Sequence, residues 1–200
     1  MMKTSTFIPV LSDGTETVLG DVKVTNFDAV NNDMLQFFAD DGSGTITKAA
    51  VYWAGWGWYN FEDEDEEWNE MPIPTGIGYI ARASQAGAKL NVSGEVAMDE
   101  FALALPTGFT IGGNCLPRDL ELGDIDVVSF NAVNNDMLQF FADDGSGTIE
   151  KAAVYWDGWG WYNFEDEDED WNEMSVPAGA AFIARASKAG AALLFPKAIP

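Results

Sequence analysis

The stretch VYWAGWGWYNFEDEDEEWNEM, Val51 to Met71, returns 103 residues later as VYWDGWGWYNFEDEDEDWNEM, Val154 to Met174. Each copy sets an aromatic cluster directly against a run of carboxylates, and together they hold all eight tryptophans. Val51-Tyr52-Trp53 closes an apolar run. Ala54-Gly55 and Gly57 then break the chain, and Trp58-Tyr59-Asn60-Phe61 supplies a second short aromatic strand. Apolar runs on either side of a glycine-rich break read as a β-hairpin. The acidic run that follows reads as an exposed loop.

Working outward, Phe27 to Leu90 aligns with Phe130 to Leu193 without a gap, and 52 of these 64 positions are identical. Self-similarity over so long a period means that a whole folding unit is duplicated. Inside a unit, Met34 to Ala39 and Thr45 to Trp53 flank Asp40-Asp41-Gly42-Ser43-Gly44, a second hairpin signal. Val30, Met34, Phe37 and Phe38 also share a helical face, so a helix over Val30 to Phe38 competes. Asn31-Asn32-Asp33 favours a turn and then a strand. Ile77 to Ala83 alternates like a half-buried strand, and Ala88 to Val92 follows as another. Short strands separated by glycine-rich turns predict an all-β chain of two tandem homologous β-sandwich or barrel-like domains, each of about 100 residues. The boundaries are set at 1–96 and 97–200, with a junction near Gly94 to Met98.

The two copies differ at their start. Phe101-Ala102-Leu103-Ala104-Leu105 reads as a strand, and its counterpart in the first copy would fall at or before Met2. A sheet short of one strand leaves backbone groups unpaired and invites a strand from elsewhere. Phe101, Leu103 and Leu105 therefore mark a strand-pairing edge, and a second copy of the chain is the expected partner.

Composition narrows the function. The net charge is −23, with 33 acidic and 10 basic residues. That argues against nucleic acid, which is held by basic groups, and against anionic membrane surfaces. The absence of histidine removes the usual general base and most zinc and transition-metal sites. Cys115 is the only cysteine, so no intrachain disulfide forms, and its simplest role is a small buried hydrophobe. No stretch approaches the roughly 18 apolar residues of a membrane span. Met1 to Thr6 lacks the apolar segment of a signal peptide.

Gly108-Phe109-Thr110-Ile111-Gly112-Gly113-Asn114 with Pro117, Leu122-Gly123-Asp124-Ile125, Gly160-Trp161-Tyr162 and Val176 to Phe182 form a set of motifs. It resembles uncharacterised β-rich repeat domains of bacterial secreted or surface proteins. The resemblance spans most of the second copy and less of the first, where Phe7-Ile8-Pro9-Val10 replaces the glycine-phenylalanine segment. It implies an extracellular or cell-surface tandem module of structural or binding type, and carries no catalytic residue.

Four chemistries are candidates within each copy. Asp40 to Ile46 superficially looks like an EF-hand loop, yet alanine stands at both end positions, Ala39 and Ala50, and again at Ala142 and Ala153. The acidic runs suit Ca²⁺ better, with Glu62, Asp63, Glu64 and Asp65, and Glu165, Asp166, Glu167 and Asp168, as candidate ligands. Trp56, Trp58, Trp68, Trp159, Trp161 and Trp171 are candidates for a ligand or partner surface, carbohydrate stacking among them. Paired carboxylates also suggest glycoside hydrolysis, but a catalytic acid needs burial that a run of charges does not give. The expectation is a non-enzymatic, self-assembling structural module of an extracellular layer or filament, its acidic loops serving solubility or cation-dependent contacts. A carbohydrate-binding module, Ca²⁺-dependent or not, is the alternative.

Overall fold

The computed structural model describes residues 3–7, 17–74, 77–92, 99–142, 144 and 146–198. The expected junction near Gly94 to Met98 lies outside them, apart from its flanks. Nine strands occupy the first repeat: β1 (Lys3–Phe7), β2 (Thr17–Val18), β3 (Val22–Thr25), β4 (Met34–Phe38), β5 (Ile46–Trp53), β6 (Gly57–Asn60), β7 (Pro72–Ile73), β8 (Tyr79–Ala83) and β9 (Lys89–Val92). Ten follow: β10 (Phe101–Leu105), β11 (Gly108–Gly113), β12 (Leu120–Glu121), β13 (Asp126–Val128), β14 (Met137–Phe141), β15 (Ile149–Trp156), β16 (Gly160–Asn163), β17 (Ser175–Val176), β18 (Ala181–Ala186) and β19 (Ala191–Phe195). Among the described residues the only helical elements are 3-10 turns of three residues. The chain is all-β.

Each repeat builds a five-stranded antiparallel sheet, ordered β1-β8-β4-β5-β6 in the first and β11-β18-β14-β15-β16 in the second. The register shifts at the same place in both, between Phe37 and Phe38 and between Phe140 and Phe141. Smaller sheets, β2-β7 and β3-β9 in the first repeat, cover one face of the large sheet. Leu19, Val22, Leu35, Ala50, Trp58, Ile73 and Tyr79 form the core there, and a corresponding core surrounds Trp161.

The helix expected as an alternative over Val30 to Phe38 does not form. Ala29–Asn31 is a 3-10 turn, and Asn32 stops it in the left-handed region at φ 57°. Asp33 is fully buried and fixes the junction to β4. Its carboxylate accepts from Asp28 N at 3.0 Å and from Ser84 N at 2.6 Å, joining the turn to the end of β8. Asp136 repeats this with Asn131 N and Ser187 N. Two backbone donors held by one buried carboxylate explain why a charged residue sits in each core.

The repeats part company at one strand. In the second, β10 pairs along β19, Phe101 opposite Phe195 and Leu103 opposite Leu193, and extends the small sheet to β10-β19-β13. In the first, β9 pairs only with β3, and no described strand lies on its other edge. Ala191 and Leu193 are 1% and 0% exposed beneath β10, whereas their counterparts Ala88 and Leu90 are only partly covered.

The repeats also meet. Phe109 N donates to Gly42 O at 2.7 Å, and Gly78 N donates to Ile111 O at 2.8 Å. Gly42 and Gly108 lie so close that a Cβ on Gly42 would collide with Thr107 O and one on Gly108 with Gly42 O, and both have positive φ, 74° and 110°. Phe38 and Ile80 of the first repeat pack against Ile111, Cys115 and Ala181 of the second.

Candidate functional site

The central hairpin sorts its aromatic residues by face. Tyr52 pairs with Trp58 across β5 and β6, and both look inward. Trp58 is completely buried, its ring edge-on to Tyr52 at 5.3 Å and to Phe27 at 5.8 Å, and its Nε1 donates to Val22 O at 3.0 Å. Trp161 is held in the same way, donating to Ile125 O at 3.2 Å. The expectation that Trp58 and Trp161 meet a ligand is corrected: a tryptophan this enclosed, with its one donor satisfied, is a core anchor. Trp68 and Trp171 are half-buried against the two cores.

The opposite face of the hairpin holds Val51, Trp53 and Tyr59. Val51 is paired with Tyr59, Trp53 stands opposite Gly57, and Trp53 and Tyr59 pack in part against the buried Ala29, Met34 and Val51. Trp56 projects from the turn between β5 and β6 and is 75% exposed; Trp159 is 75% exposed in the second repeat. Gly57 has φ 109°, and a Cβ there would strike the Asn69 side chain. That side chain ties the site together: Asn69 Oδ1 accepts from Trp58 N at 2.9 Å, and its Nδ2 donates to Trp56 O and to Glu67 Oε1.

The acidic run is exposed, as expected, but it is not a free loop. Asn60 N donates to Glu66 O, Trp68 N donates to Trp58 O, and Tyr59 bridges to Glu67, so the run folds back along β6. Gly20 N then donates to Asn69 O and Leu19 N to Met71 O, anchoring its far end on the first repeat's 3-10 turn. Asn60 Nδ2 donates to Glu66 Oε2 at 2.7 Å, and this bond, followed by one from Trp68, holds the Glu66 carboxyl below the usual range. Folding back brings Glu64 and Asp65 beside Trp53, Trp56 and Tyr59 around an open pocket of ≈490 Å³.

Glu62 and Asp63, and Glu165 to Asp168, are exposed, and among the described residues no three acidic or cysteine side chains converge to hold a metal ion. The Asp40 to Ile46 segment is a turn rather than a calcium loop: Asp41 Oδ1 accepts from Ser43 N at 2.9 Å, and Ser43 Oγ accepts from Thr45 N at 3.2 Å. Hydrogen bonds from Ser43 lower the Asp41 carboxyl. Phe101, Leu103 and Leu105 form a strand as expected, and the edge they occupy belongs to β19 of their own repeat.

No family model, curated protein or solved structure matches this chain. Sequence reasoning missed two members of the pocket, Trp53 and Tyr59. Their signal was present in the period-two alternation: counting outward from the glycine break puts Trp53 and Tyr59 on one face and Tyr52 and Trp58 on the other.

Proposed function

We propose that the protein is a non-enzymatic structural module made of two duplicated β-sandwich-like domains, and that copies join by strand addition at the outer edge of β9. One observation carries this reading: β10 seals β19 in the second repeat, while Ala88 and Leu90 on β9 keep apolar surface that their counterparts bury. An edge with unpaired backbone groups over a partly open core gains both hydrogen bonds and apolar burial when a strand is added. The acidic loops keep copies apart elsewhere, since like charges repel on approach, and this directs contact to the edge. An extracellular or surface setting belongs to the same proposal, in keeping with the resemblance to secreted repeat domains.

Light scattering across a dilution series tests it. Mass should rise with concentration, and a peptide spanning Asp99 to Pro106 in excess should hold the chain at the mass of a monomer. A strict monomer at high concentration and moderate salt would end this reading.

A further inference from the structure

We propose that the pocket on the outer face of the central hairpin is an aromatic cage for a quaternary ammonium group. Trp53, Trp56 and Tyr59 line it, and Glu64 and Asp65 stand at its wall. The faces of aromatic rings are electronegative, so rings and carboxylates favour positive charge alike. No lysine or arginine lines the pocket. Anions are therefore refused, and the net charge of −23 raises the local concentration of any cation.

The choice among cations follows from ligand count. A calcium ion takes six to eight oxygens, and no three acidic side chains converge among the described residues. A small, strongly hydrated ion would have to shed water without replacement. A large, weakly hydrated tetraalkylammonium loses little hydration, and its methyl groups lie against rings, as in known aromatic cages. A sugar could stack on an indole as well, so what separates the two ligands is charge, and the two carboxylates at the wall favour a cation.

The second repeat carries the same set at Trp156, Trp159, Tyr162, Glu167 and Asp168, with one change. Asp157 stands in the turn where the first repeat has Ala54. Burial first, and then the charges of Asp126 and Asp157, raise the Tyr155 phenol, so this added carboxylate acts toward the inward-facing tyrosine rather than the cage. The proposal is independent of assembly at β9, which lies on the small sheet.

Tryptophan fluorescence, titrated with tetramethylammonium chloride at constant ionic strength set by sodium chloride, tests it. A saturable change is expected for tetramethylammonium and a much weaker one for neopentyl alcohol, its uncharged counterpart of similar shape. With Trp159→Ala present to isolate the first cage, Trp56→Ala should weaken binding by about tenfold. Glu64→Gln with Asp65→Asn should weaken it as well. All these positions are on the surface, and an unchanged circular dichroism spectrum shows that the variants are folded. Choline and a trimethyllysine peptide, run in parallel, tell whether the group is met free or on a chain. Equal response to neopentyl alcohol, displacement by calcium at matched ionic strength, or response to oligosaccharides without response to tetramethylammonium would overturn the proposal.

Discussion

Tyr79 and Phe182 occupy the same place in the two repeats, each edge-on to a phenylalanine, Phe37 at 5.7 Å and Phe140 at 5.8 Å. Both are fully buried, but the Tyr79 hydroxyl finds no hydrogen-bond partner among the described residues. Burial alone pushes its phenol well above the ordinary range, so it stays neutral at any physiological pH. A buried donor left unsatisfied costs about 1–3 kcal/mol, and deleting it relieves most of that. Tyr79→Phe, which copies the other repeat, should raise the stability of the chain by about 1 kcal/mol in urea unfolding. The tryptophans show the limit of reading at this scale. Trp56 and Trp58 are two residues apart and share a parity, so alternation puts them on one face. The turn at Gly55 and Gly57, with φ 82° and 109°, breaks that count and sends one indole to solvent and the other to the core.

Elements were legible where punctuation was strong. The glycine breaks and the Asp40 to Gly44 cluster delimit β4, β5 and β6 as expected from residue type. Ambiguity over Val30 to Phe38 ends with Asp33, whose fully buried carboxylate holds two backbone N–H groups far apart in sequence. Nothing in the local pattern announces that long-range pairing. Asp136→Ala would orphan the N–H groups of Asn131 and Ser187 in the second repeat and should cost about 2–4 kcal/mol, seen as an earlier denaturant midpoint. The acidic run was legible as exposed sequence, but its attachment to β6 through Asn60 and Asn69 was not. Those contacts combine backbone bonds with side-chain bonds of the two asparagines to partners up to 13 residues away, which the local pattern does not announce. The pocket was half legible for the same reason: composition supplied its aromatic and acidic members, while the fold-back alone joined them.

At the scale of the molecule, the seam between repeats holds the single cysteine. Burial pushes the Cys115 thiol up to about 12, and it packs with Phe38 and Ile80 from the other repeat. The thiol is therefore protonated and covered at neutral pH, and a disulfide reagent should label it only after the seam opens. Gly108→Ala forces a side chain onto Gly42 at a positive φ. It should speed labelling of Cys115 at pH 8 by at least tenfold, whereas Trp56→Ala on the far surface should leave the rate unchanged. That seam was beyond the sequence, because the two repeats are nearly identical and only one side of each meets the other.

The lone β10 sets a count for any assembly. Among the described residues a copy has one such strand and, under the proposed assembly, two edges that accept it, those of β9 and β19. If copies merely lend β10 to one another, each loan opens a β19 as it closes a β9. The number of vacancies then stays equal to the number of copies, however long the array. Two copies that lay β9 against β9 about a twofold axis close both vacancies at once and leave no growing end. Under the proposed strand addition, the described strands favour a closed pair. Continued growth would then draw on a strand other than β10.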